Sequence, residues 1–204
     1  MAHIPDGILS APVLIGGTAL ALGGLALGLR ALDDRTIPKT AILAAGFFAG
    51  SLLAIPVGPS SVHLLFGGLM GLMLGMAVFP ALVVALLLQA LLFGMGGLTT
   101  LGVNTLNMAL PGVALAMLVG PILRATGSAS LRALLAALAG ALAVFGTGGM
   151  VALSLFLSSS DYVPVASVLL ATYLPLALVE AFVTAATVGF LVRVRPDALL
   201  PVLP

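Results

Sequence analysis

Two histidines, His3 and His63, are the only imidazoles in this 204-residue chain, and there is no cysteine. Both stand just before long apolar stretches, where a helix would enter a bilayer. The neutral imidazole is the commonest protein metal ligand. Two imidazoles and a free amine on one side of a membrane would cage one divalent transition metal. An amine followed closely by histidine can wrap a metal in a plane, using the amine, the intervening deprotonated amide and the imidazole. Square-planar nitrogen sites favour Ni(II) or Cu(II). The small Ala2 favours removal of Met1. The Ala2 amine, the His3 amide and the His3 imidazole would then fill three corners, and His63 would close the fourth. If Met1 stays, its amine, two amides and the His3 imidazole fill the plane, leaving His63 axial or idle. Removal of Met1 is the expectation.

The other polar residues near these points have two readings each. Asp6, in the turn-forming run Pro5-Asp6-Gly7, either orients an imidazole from behind or serves as a turn or helix-cap residue. Pro59-Ser60-Ser61-Val62-His63 reads as a helix start, with Ser60 or Ser61 capping its free amides and His63 in its first turn. Asn104 and Asn107, at the outer end of a fifth helix, either cap that helix or hydrogen-bond the folded-in N-terminus and its ligands. Gln89 and Glu180 lie deep in apolar runs, where a polar group faces the bundle interior. A hydrogen bond from Glu180 to Gln89 or to backbone is the preferred reading, with Glu180 too deep to ligate a metal at the outer face.

These residues need a scaffold, and composition names its class. The chain is 62% hydrophobic and 6% charged, with a net charge of +1. Soluble domains carry about 25% charged residues, so this is an integral membrane protein. Near-neutrality gives no basic face for nucleic acid. Continuous apolar runs rather than alternation favour helices over a β-barrel. Without cysteine there is no disulfide framework or thiolate metal site. No P-loop pattern occurs, so energy for transport would come from a partner or an ion gradient. Histidines at the interface do not make a buried acid–base constellation, and the chain reads as a non-enzyme.

A spanning helix needs about 20 apolar residues. Seven candidates appear: Ala11–Leu29, Thr40–Ile55, Val62–Val78, Ala81–Gly96, Leu106–Leu123, Leu131–Leu157 and Ser167–Val192. A turn near Phe79-Pro80 divides the third from the fourth, and Gly94–Asn104 reads as a loop folding back into the bundle. With the N-terminus outside, every Lys and Arg (Arg30, Arg35, Lys39, Arg124, Arg132, Arg193 and Arg195) falls on the inner side, satisfying the positive-inside rule. The expectation is therefore one all-α membrane domain over residues 1–204, N-out and C-in. Residues 1–10 would fold back onto its outer face, with both histidines outside. The first helix lacks the basic flank of a cleaved signal peptide. Small residues recur at spacing four in Gly24/Gly28, Ala41/Ala45/Ala49, Gly46/Gly50 and Gly67/Gly71/Gly75. They serve internal packing or docking of another membrane subunit.

Four segments in order, HIPDGILS, PSSVHLLFGGLMG, LLFGMGGLTTLGVNTLNM and YLPLALVEAFVTA with the following FLVRVRPDAL, resemble the CbiM/NikM family. Its members are the substrate-binding membrane subunits of energy-coupling factor transporters for nickel or cobalt. The resemblance spans residue 3 to about 200. It implies that the N-terminal amine, His3 and His63 hold Ni2+ or Co2+ as transported substrate, with no permanent cofactor. The family usually has its histidine directly after Met; here Ala2 intervenes, and removal of Met1 restores the spacing. Met95 and Tyr173 stand where relatives often carry an acidic residue and a histidine. The implied partners are a transmembrane coupling protein, two cytoplasmic ATP-binding cassette ATPases, a small auxiliary membrane subunit and the lipid of a prokaryotic cytoplasmic membrane. The Ala41–Gly50 face is a candidate docking surface for the coupling protein. A stand-alone secondary transporter or channel for divalent metal is the alternative; it would need a chain of polar groups across the bilayer.

Overall fold

A computed structural model describes residues 3–53, 55–57 and 60–200. The order is α1 (Ala11–Arg30), α2 (Ile37–Ser51), β1 (Ile55–Val57), β2 (Ser60–Val62), α3 (Gly67–Leu74), a 3-10 turn (Gly75–Ala77), α4 (Val78–Phe93), α5 (Leu101–Ala125), α6 (Ala129–Ser158), α7 (Val163–Val194) and a final 3-10 turn (Pro196–Leu199). The architecture is an all-α bundle carrying one short antiparallel ribbon in which Ile55 pairs with Val62 and Val57 with Ser60.

Among the described residues, five helical stretches are long and apolar enough to cross a membrane: Ala11–Arg30, Gly67–Phe93, Leu101–Ala125, Ala129–Ser158 and Ala171–Val194. Outward-facing Ile15, Ile42, Met117, Leu118 and Phe182 are largely exposed, as lipid-facing side chains must be. The protein is a multi-pass membrane protein. Gly67–Phe93 is not one rod. A straight helix of its 27 residues would run about 40 Å. Yet His63, just before it, bonds His3, and a methyl on Gly96, just after it, would touch the same His3. The chain doubles back at Gly75, whose φ of 53° and ψ of −127° suit a residue without Cβ. The reversal therefore falls at Gly75–Ala77, not at Phe79-Pro80 as expected. Pro80 instead occupies the first turn of α4, where its missing N–H is harmless.

The two arms diverge. α3 runs into the centre, with all eight of its residues buried among α5, α6 and α7. α4 lies against α1, α2 and α5. Glycines permit the close approach: a Cβ on Gly71 would overlap the Gly112 carbonyl, and one on Gly68 would overlap the Ala139 carbonyl. Gly24 and Gly28 likewise seat Phe79 and Pro80. These spacings serve internal packing, whereas Ala41, Ala45, Gly46 and Ala49 on α2 are exposed.

The expected helix start at Pro59–His63 is corrected. Ser60 and Ser61 belong to β2, and α3 begins only at Gly67. His63 thus precedes the helix instead of lying in its first turn. The β-branched residues Ile55, Val57 and Val62 suit the ribbon, which sequence periodicity over so short a run could not separate from helix.

Candidate functional site

The two histidines meet at one end of the bundle. Their Nε2 atoms lie 2.9 Å apart, and the rings stack with centroids 5.1 Å apart. Both are buried, His3 at 6% and His63 at 4% exposure. The Nδ1 of His63 lies 2.9 Å from the Leu64 carbonyl, which can only accept. His63 Nδ1 therefore carries the proton and donates. Its Nε2 is then a lone pair that accepts from His3 Nε2–H. That leaves His3 Nδ1 as a buried lone pair with no partner. Phe47 meets the His63 ring edge-on with centroids 6.2 Å apart, closing one flank.

His3 is placed by a docked N-terminal segment. Asn104 on α5 grips the next residue: its Oδ1 accepts the Ile4 N–H at 3.0 Å, and its Nδ2 donates to the Ile4 carbonyl at 3.0 Å. The Thr100 hydroxyl donates to the same carbonyl at 2.7 Å. Ile4 and Leu9 are buried against Val103, Val151 and Leu155 of α5 and α6. The Ser10 N–H donates to Ser158 Oγ at 3.1 Å, fastening the segment to the end of α6.

Asp6 makes no bond to either imidazole. Its carboxylate accepts the N–H groups of Leu98, Thr99 and Thr100 at 3.1, 3.0 and 3.2 Å, and the Thr99 hydroxyl at 2.5 Å. It acts as the cap for the approach to α5, where free amides and the helix dipole favour an anion. A side chain at Gly97 would collide with this carboxylate, and Gly96, at φ 80°, lets the loop lie over His3. Of the two readings open for Asp6, the capping one matches the geometry.

His63 is placed from both sides. The β1–β2 ribbon delivers it, and Glu180 on α7 holds the turn that follows. The Glu180 Oε1 accepts the N–H groups of Leu65 and Phe66, the latter at 2.8 Å. The expected cap from Ser60 or Ser61 is replaced by this carboxyl, because those serines are paired in β2 five or more positions upstream of α3.

The remaining candidates lie apart from the imidazoles. Asn107 pairs with Ser154 Oγ at 3.2 Å and ties α5 to α6. Gln89 Nε2 donates to Ser51 Oγ at 2.6 Å, joining α4 to α2, and does not bond Glu180. Met95 is half-buried in the loop beside Gly96. Tyr173 is buried in α7 with its hydroxyl unpartnered. Met1 and Ala2, the alternative sources of the amine, lie outside the described residues. Sequence reasoning missed Thr99 and Thr100. Their signal was the Gly-Gly-Leu-Thr-Thr run before a helix, which is a loop-to-cap pattern.

Burial and the neighbouring His63 push His3 down to about 3, and burial also lowers His63. Both imidazoles are neutral at physiological pH, the form that ligates metal. Asp6 is held below the usual carboxylate range, chiefly by the Thr99 hydroxyl.

Comparison with known proteins agrees with this picture. The family model described as CbiM, cobalt uptake substrate-specific transmembrane region, matches residues 3–198. A Haemophilus influenzae protein named for metal transport is 36% identical over 97% of this chain and 96% of its own length. The cobalt transport protein CbiM of Sorangium cellulosum is 33% identical over 97% of this chain and 94% of its own. A crystal structure of a transition metal transporter superposes with a TM-score of 0.77 at 27% identity, covering 94% of this chain and 93% of that one. An all-helical membrane bundle, a paired-histidine pocket under a docked N-terminus and these matches together place the chain in the CbiM family of cobalt-uptake substrate-specific transmembrane proteins.

Proposed function

We propose that this protein captures Ni2+ or Co2+ as the substrate-specific membrane subunit of an energy-coupling factor transporter. The observation that carries the reading is the unpartnered lone pair on buried His3 Nδ1, in the ring whose Nε2 lies 2.9 Å from His63 Nε2. Nδ1 is the ring nitrogen that closes a six-membered chelate with the residue's own amide nitrogen. The amine of Ala2, once Met1 is removed, supplies a third nitrogen, and His63 Nε2 the fourth. A bound metal would take the His63 Nε2 lone pair in place of the imidazole–imidazole hydrogen bond, and His3 Nε2 would keep its proton. Planar nitrogen geometry and the affinity order both favour nickel over cobalt.

The pocket faces outside, because every Lys and Arg falls at the opposite end of the bundle. The membrane is then the cytoplasmic membrane of a prokaryote. A coupling protein in that membrane, with a small auxiliary subunit, joins this chain to two cytoplasmic ATPases that drive metal release inside. The exposed small-residue face of α2 suits the coupling protein.

Nickel titration of protein with its native N-terminus, beside protein carrying a few extra N-terminal residues, tests the site. Binding of one metal by the native form alone, with Met1 absent by mass spectrometry, is the expected result. Equal binding by both removes the amine from the ligand set. Uptake by cells lacking the partner ATPases, equal to uptake with them, would instead favour a stand-alone transporter.

A further inference from the structure

Glu180 lies in the middle of α7 and is fully buried at 0% exposure. A carboxyl inside a membrane-spanning helix is costly and marks a specific use. One oxygen takes both N–H groups of the turn after His63, and the other has no partner. The start of α3 explains the arrangement. The first amides of a helix have no partner within it. At the cap position stands Phe66, whose side chain cannot accept and whose φ of 51° is the one positive value outside glycine among the described residues. The cap comes instead from a residue 115 positions away.

The seat of that carboxyl is rigid. α7 presses on α6 at Gly140, where an added Cβ would come within 2.5 Å of the Glu180 carbonyl. From this base, Glu180 holds Leu65 and Phe66 and so fixes Leu64, whose carbonyl takes the Nδ1 proton of His63. The β2 pairing holds the other side of His63.

We propose that Glu180 is a positioning residue for the metal site: by fixing the Leu64–Phe66 turn it sets the ring orientation and tautomer of His63. This rests on the reading of His3 and His63 as metal ligands and adds a residue of α7 to it.

The test is nickel titration of purified full-length protein, followed by visible absorption, in wild type, Glu180→Gln, Glu180→Leu and Leu123→Ala. Glutamine keeps an acceptor oxygen at the same reach and is expected to bind like wild type, with the same spectrum. Glu180→Leu is expected to lose about 10–100-fold in affinity, the range for groups that orient a metal ligand, with an altered spectrum. Leu123, buried near the far end of α5, is the stability control: its alanine variant should melt earlier yet bind nickel normally. If Glu180→Leu does not fold, Glu180→Asp, with the carboxyl drawn back by one methylene, should show the loss. Wild-type affinity and spectrum in the leucine or aspartate variant overturn the proposal, as does a glutamine variant as weak as the leucine one. Failure of wild type itself to bind nickel would instead overturn the site reading beneath it.

Discussion

Asn104 holds Ile4 as a neighbouring β-strand would, taking its N–H and giving to its carbonyl, both at 3.0 Å. This pair places His3, one residue earlier, against His63. Asn104→Ala removes both bonds: the Ile4 N–H loses its acceptor, at about 1–3 kcal/mol for an unsatisfied buried group, while the Ile4 carbonyl keeps the Thr100 hydroxyl. The loss falls on docking of the segment more than on the bundle. The expected outcome is faster protease cleavage near Ile4 and about 10–100-fold weaker nickel binding, with a small change in melting temperature. Unchanged cleavage and affinity would show that the segment is held without this residue.

Asp6 ties the same segment to the loop before α5. Because its carboxyl is held below its ordinary value, chiefly by the Thr99 hydroxyl, its contribution to docking is complete above the unfolded value of about 3.9. That contribution is lost as pH falls through the lowered folded value. Asp6→Ala should therefore loosen the segment at neutral pH, and wild type should resemble it only in strong acid. Hydrogen exchange at Leu98–Thr100 reads the effect directly, since those amides lose their acceptor. Equal protection in wild type and variant at pH 7 contradicts the clamp.

The histidines also lose stability on acidification, but over a window that begins at higher pH. His3 is lowered to about 3, so the unfolded chain binds more protons than the folded one between that value and about 6.5. Stability should decline as pH is lowered through this window. Metal binding has a further dependence. His3, lowered to about 3, is already neutral between about pH 5.5 and 7.5, so the protons released by nickel come chiefly from the amine and the amide. Affinity should still fall as pH drops, with a slope close to two protons per metal. An N-terminal extension should remove the amine's share. A flat affinity across this range would exclude the amine–amide chelate.

Gly71 and Gly112 bring α3 and α5 into backbone contact beneath the pocket. Gly71→Ala places a methyl against the Gly112 carbonyl, and overpacking of this kind costs about 1–3 kcal/mol. Thermal melting in detergent should show the loss. Gly46→Ala, on an open face where a Cβ meets nothing within 4 Å, should be nearly silent. Equal melting temperatures for the two variants would show that α3 can shift to accommodate the methyl.

Helix count and histidine placement were legible in the chain for one physical reason. Long apolar runs in lipid must satisfy their own main-chain groups, so they become helices, and the breaks between them alternate sides. From Ala11 to Val194 that rule identifies the helices to within a few residues, apart from the ends around His63 and the start of α5, which lies at Leu101 inside the expected Gly94–Asn104 loop. It also brings His3 and His63 to one end of the bundle. The sequence also offered Asn104, with Asn107, as a residue that either caps the fifth helix or hydrogen-bonds the folded-in N-terminus.

Tertiary structure decided the rest. The contact between His3 and His63 depends on a segment docked through Asn104, Thr100 and Asp6, at separations near 100 residues. Asp6 became a clamp rather than an imidazole partner because the free amides before α5 lie within its reach. The helix start expected at Ser60 gave way to a ribbon, since pairing with Ile55–Val57 satisfied that backbone first. That left α3 uncapped until Glu180 arrived from α7. Local propensity carries no information about which distant side chain will meet an orphaned amide. Only packing the helices, with Gly140 admitting α7 at the right height, settles it.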